Sequence, residues 1–117
     1  MKFMMIHYLD QSLTWSENGV EGEDPEETRD RDAWDEEMAA RGILAGGGVL
    51  RGPSEAKTLK VRNGEVLLTD GPFAETKEQI AGYTVLECAD MDEAIEIAAR
   101  HPTGRFGTFE LRPYSWI

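Results

Sequence analysis

Among 117 residues there is a single cysteine, Cys88, so no disulfide can form within the chain, and with only two histidines no Cys/His cluster can hold a structural zinc. Basic residues are also scarce: 12 Lys and Arg stand against 23 Asp and Glu, a formal net charge of −11. Phosphate backbones are bound by clustered cations, so a chain of this sign is repelled by nucleic acid, and anionic membranes disfavour it too. No apolar run approaches the roughly 18 to 20 residues of a membrane span. Met1 to His7 is too short and too soon interrupted by a polar group to be a signal-peptide core. Phosphate loops, nucleophile elbows, metal-binding helices and dinucleotide fingerprints are all missing. The triple glycine Gly46-Gly47-Gly48 lacks both the spacing and the lysine of a phosphate loop. These absences lead to the expectation of one reduced, soluble, cytoplasmic domain over residues 1–117, with no metal and no cofactor.

What is present is enough for a core: 40% apolar residues, with 3 Trp, 3 Tyr and 4 Phe. A chain of this length buries about two thirds of the surface it exposes unfolded. The acidity is local, because Glu21 to Glu37 holds ten acids and two bases. Most simply that run is a solvated face; the sharper alternative is a docking surface for a basic partner.

Local patterns order the elements. Lys2 to Leu9 leaves neither alternation face polar and predicts a strand covered on both sides, with Phe3, Met5, His7 and Leu9 on one face and Met4, Ile6 and Tyr8 on the other. A loop follows to Glu23, with Trp15 its one aromatic group. Asp24, Pro25 and Glu27 have capping-box spacing and predict a helix to Arg41, stopped by Gly42. Its thin stripe, Ala33, Trp34, Met38 and Ala40, predicts firm docking of the C-terminal half only and first turns in solvent. Ile43 to Leu50 reads as a glycine-rich strand. Lys57–Arg62 and Glu65–Thr69 flank Asn63-Gly64, a two-residue hairpin turn. Asp70 to Gln79 reads as a turn and polar stretch, and Gly82 to Glu87 as a strand. Asp90 and Glu93 open a second helix with stripe Met91, Ala94, Ile95 and Ala98, ending near His101-Pro102, and Phe106 to Arg112 is the last strand. The order is that of an α+β fold, a ferredoxin-like split βαβ with an extra β-hairpin. Two helices cover one sheet face, so the apolar second face predicts a homodimer packed sheet to sheet.

The candidate chemistry is sparse. Asp70-Gly71-Pro72-Phe73 is ordinary turn chemistry, with Phe73 anchoring the turn in the core, or else a wall of a cavity. His101 stands where an imidazolium would favour a helix C-terminus, or where it could act as acid or base. His7 is either a buried neutral histidine or part of a pocket. Cys88 is a small apolar residue.

The run from Thr69 to Gln79, with Asp70-Gly71-Pro72-Phe73 at its head and Gly82-Tyr83 just after it, resembles the signature of the DGPF branch of the YCII-related domain family. The resemblance extends over nearly the whole chain outside Trp15 to Asp32. It implies a dimeric α+β barrel, no settled general activity, and enzymatic function in the wider group through a recurring His and Asp. That group includes a dehydrochlorinase of a chlorinated aromatic, and related barrels include muconolactone isomerase. The DGPF branch is also associated with sigma factors. The group's first-helix His has no counterpart here, and His101-Pro102 stands where the group has Asp-Pro.

Two functions follow. The first is a small cofactor-independent lyase or isomerase with Asp70 and His101 moving a proton, and with His7, Phe73, Lys77 and Arg100 holding a small-molecule ligand. The second is a non-catalytic ligand-binding or regulatory module linked to transcription.

Overall fold

The computed structural model describes residues 1–13, 15–16, 19–20 and 25–116. Its main sheet is built from β1 (Lys2–Asp10), β4 (Leu44–Val49), β7 (Glu78–Glu87) and β8 (Thr108–Pro113), in the antiparallel order β4-β7-β1-β8. Two ribbons stand apart from it: β2 (Trp15–Ser16) with β3 (Gly19–Val20), and β5 (Lys57–Arg62) with β6 (Glu65–Asp70). Helices α1 (Pro25–Ala40) and α2 (Met91–Ala99) complete an α+β architecture in which the described strands close no barrel.

The inner sheet face follows the alternation expected of β1. Phe3, Met5, Met38 and Leu86 are sealed between sheet and helices with Trp34, Ile43, Cys88, Ala94, Ile97 and Ala98. Each fully buried large side chain contributes about 1.5–3 kcal/mol through removal from water. Trp34 donates its indole N–H to the Ile97 carbonyl at 3.1 Å, so the two helices are joined by a satisfied buried polar group.

Several expectations shift at the element ends. The β5–β6 hairpin is as predicted, with Asn63 (φ 50°) and Gly64 (φ 79°) both in the left-handed conformation its turn requires. Asp90 caps α2, its Oδ1 accepting from the Glu93 N–H at 2.9 Å; the Glu93 side chain reaches back to the Ala89 N–H at 3.4 Å. The buried stripe of α2 is Ala94, Ile97 and Ala98, whereas Ile95 is exposed, because the helix phase places position 97 one turn below position 94. β7 begins at Glu78, inside the stretch read as a polar loop, since those residues pair with Leu9 and Asp10 of β1. The proposed cap of α1, Asp24, lies outside the described residues, and Glu27 is buried, so the first turn of α1 docks after all.

Candidate active site

The site grows from one face of β1 and one edge of the sheet. His7 sits on the inner face of β1 just before a bulge, where the pairing with β7 slips between His7–Gly82 and Tyr8–Ile80. Beside it, β4 brings three glycines, so the wall there is main chain alone. Gly47 has no room for anything else: at φ 153° an added Cβ would stand 2.6 Å from the Tyr83 carbonyl oxygen. From the other side α1 contributes Arg31 and Asp35, four residues apart and so on one helical face. His101 and Thr103 come from the turn after α2, while Trp15 and Phe106 add aromatic surface. Together they surround a cavity of about 650 Å³, large enough for a small organic molecule.

Two imidazoles dominate its chemistry. The His7 and His101 rings meet edge to face with centroids 5.1 Å apart, and Phe109 packs against both, at 5.0 and 5.4 Å. Trp34 closes on His101 at 4.6 Å. Packed among these rings the imidazoles are shielded from water, and that desolvation favours the neutral ring over the charged one. Burial, reinforced by the Arg31 charge, lowers His7 to a pKa of about 4. Burial, then His7, then Arg31 lower His101 to about 3. The imidazolium expected at the end of α2 is therefore replaced by a neutral ring, because the turn folds His101 under the helices.

Hydrogen bonds define which nitrogen does what. His7 Nε2 and Thr84 Oγ1 are 3.0 Å apart. His101 Nδ1 accepts from the Thr103 N–H at 3.2 Å. The Thr103 hydroxyl in turn donates to Glu27 Oε1 at 3.1 Å. Among the described residues the cavity has one carboxylate, Asp35. Partial burial lifts its pKa above the usual carboxylate range, an effect that Arg31 opposes and Asp32 reinforces.

Of the residues singled out in the sequence, His7 and His101 line this cavity. Asp70 does not: it closes β6, 86% exposed at its side chain, and forms an ion pair with Lys57 across the hairpin. The pairing of Asp70 with His101 is thus not made within one chain. Phe73 is 79% exposed with the Lys60 ammonium 5.4 Å above its ring, so it anchors nothing in this chain's core. Arg100 is taken by Glu37 in a bidentate pair at 2.7 and 2.8 Å. Lys77 is exposed, and its carbonyl accepts from the Gln11 N–H. The Asp70 to Gln79 run is ordered by ties of its own: Gln79 Nε2 donates to the Ala74 and Thr76 carbonyls, and Thr58 Oγ1 donates to the Gly71 carbonyl. The residues the sequence did not single out are Glu27, Arg31, Asp35, Thr84 and Thr103. Among the described residues no group of three or more His, Cys, Asp or Glu is arranged to hold a metal ion.

An uncharacterised protein of Rhizobium meliloti (strain 1021) is similar to this chain, 35% identical over 117 residues, which cover 97% of this chain and 91% of that relative. A family model, the YCII-related domain, matches residues 1–116. With the match running almost end to end, the chain belongs to the YCII-related domain family.

Proposed function

We propose that the protein is a cofactor-independent enzyme of the isomerase or lyase type, moving a proton on a small carbonyl compound held in the cavity. The observation that carries this reading is the meeting of two neutral imidazoles and one carboxylate of raised pKa around a single open-sided cavity. Asp35 takes the role that Asp70 has in the sequence reading. Its carboxylate accepts a proton from the carbon next to the carbonyl. The C–H electron pair becomes a C=C bond, and the C=O π pair moves to oxygen as an enolate. Where the substrate is a β,γ-unsaturated carbonyl compound, the enolate is a dienolate, and returning the proton from Asp35 to its γ-carbon moves the C=C bond into conjugation and completes an isomerisation with no redox change. Trp15 and Phe106 favour a flat or aromatic body, and Arg31 favours an anionic group on it.

We infer as well that two copies pack sheet to sheet into the ferredoxin-like barrel assembly. The strand order is the one a split βαβ chain produces. Ile80 and Tyr83 are exposed on the outer face, and Met4, Ile6, Tyr8 and Val85 are only partly covered there.

The catalytic reading is tested by proton exchange. Acetylacetone and a panel of small enolisable keto acids are followed by NMR in deuterated buffer, with and without protein. The wild type should accelerate α-carbon exchange for at least one compound, and Asp35→Asn should lose about 10²-fold or more of that acceleration. If no compound exchanges faster and none perturbs the amide signals of Gly47 and Thr84, the reading is wrong.

A further inference from the structure

We propose that His101 serves the cavity as a neutral hydrogen-bond donor through Nε2–H, and that Glu27, acting through Thr103, is the residue that positions it. This deepens the proton-transfer reading and rests on it for the donor's use, though not for its existence.

The argument starts from the occupancy of the ring nitrogens. Nδ1 of His101 already accepts the Thr103 N–H. A neutral imidazole has one N–H and one lone pair, so engaging the lone pair at Nδ1 places the proton on Nε2. Nε2 makes no hydrogen bond to any described residue, and it is not among the sealed polar atoms, which are Trp15 Nε1 and Glu27 Oε2. It is thus a donor open to whatever enters. In this state His101 cannot accept a proton from substrate, since its one lone pair is spent on the backbone. It can hold a carbonyl oxygen while that oxygen gains negative charge. A neutral donor suits that task, because its strength is closer to that of an enolate than an imidazolium's would be.

Glu27 explains why the Thr103 N–H stays where it is. Pro102–Arg105 is a single 3-10 turn whose own backbone hydrogen bonds leave the Thr103 side chain unanchored, and a shift of Thr103 would let the ring rotate. Instead the Thr103 hydroxyl is tied to a carboxyl oxygen on the first turn of α1, 76 residues away in sequence. Glu27 is only 3% exposed, and its Oε2 is sealed without a partner among the described residues. An unmet buried oxygen costs on the order of 1–3 kcal/mol. A well-packed apolar residue at this position would avoid that cost, so the carboxyl is retained for what its other oxygen does. The groups around the ring are His7 and Phe109 from the sheet, Trp34 and Arg31 from α1, and Glu27 through Thr103. Among the described residues the hydrogen-bond partner of Nδ1 is the Thr103 N–H, a donor, which holds the proton off that nitrogen.

The test is the histidine nitrogen spectrum of the ligand-free protein, which reads the tautomer whether or not the cavity catalyses anything. At pH 7 the wild type should show His101 as the pure Nε2–H tautomer. Glu27→Gln keeps an acceptor oxygen for Thr103 and should preserve that signature. Glu27→Leu should yield a mixture of tautomers for His101 while the thermal midpoint stays level or rises, and in the isomerisation assay it should lower kcat at least tenfold with KM little changed. An Nδ1–H tautomer or a charged ring in the wild type overturns the proposal, as does an unaltered His101 spectrum in Glu27→Leu. A correct tautomer together with no carbonyl chemistry would instead refute only the catalytic reading.

Discussion

At the scale of single residues, the two histidines govern how the protein answers to acid. In the unfolded chain both titrate near 6.5, whereas in the fold they titrate at about 4 and about 3. Their folded-state values are depressed, so below about pH 6.5 the unfolded state binds protons that the folded state refuses. The stability that depends on keeping both rings neutral is complete above that pH and is lost as the pH falls toward the folded-state values. By pH 5.5 the loss should reach about 1 kcal/mol for each ring. Urea unfolding of wild type and His101→Asn at pH 7.5 and 5.5 measures it: the variant should lose less stability across that interval, and parallel losses would contradict the assignment. His7 and His101 stood out in the sequence because the chain has no other histidines. Glu27 and Asp35 did not, because a run of ten acids reads as a solvated face by composition alone. The missing information was helical phase. Trp34 and Met38 are buried, and positions 27 and 31 lie seven and three residues before Trp34, on the same side of α1. Phasing the helix from its tryptophan would have brought Glu27 and Arg31 inward, whereas Asp35, next to Trp34 and exposed, lies off that stripe.

At the scale of elements, the hairpin, the glycine strand and both helices were legible because their signals are local: a turn dipeptide, a helix cap, an alternation. Two features were not. The stripe of α2 was placed on Ile95 where Ile97 carries it, since Met91 and Ala94 are compatible with either phase and only packing against Trp34 and β8 decides. The exposure of Phe73 depends on what the β5–β6 ribbon packs against, which no local pattern encodes. The glycine strand gives the clearest prediction at this scale. A methyl at Gly47 would collide with the Tyr83 backbone, whereas one at Gly48 would meet only the Tyr83 ring at 3.8 Å. Gly47→Ala should therefore cost about 2 kcal/mol or more by breaking the β4–β7 ladder, and Gly48→Ala under about 1 kcal/mol. Chemical denaturation of the two variants side by side decides it; equal losses would mean that β4 shifts freely to make room.

At the scale of the whole molecule, the chain measures 46 × 37 × 19 Å with a radius of gyration of 15.8 Å. A compact domain of this length has a radius near 13 Å. The excess comes from a two-layer slab and from a ribbon whose Leu59, Val61, Val66 and Leu68 are all exposed. The proposed sheet-to-sheet assembly would cover the apolar back of this slab with a second one. Light scattering at micromolar concentration should give twice the chain mass, and Val85→Glu, placed on the outer face of β7, should halve it while leaving the His101 tautomer unchanged. A monomeric wild type would refute the assembly. The net charge of −11, which at first bears on the molecule as a whole, belongs mainly to α1 and the loop before it. Part of it is turned to other uses: Glu27 is buried against the turn after α2, and Asp35 stands at the rim of the cavity.

The wall formed by Gly46, Gly47 and Gly48 has one more consequence, for how this site answers to genetics. There is no side chain to delete along it, so a scan that truncates residues passes over it in silence. Only substitutions that add atoms can register there.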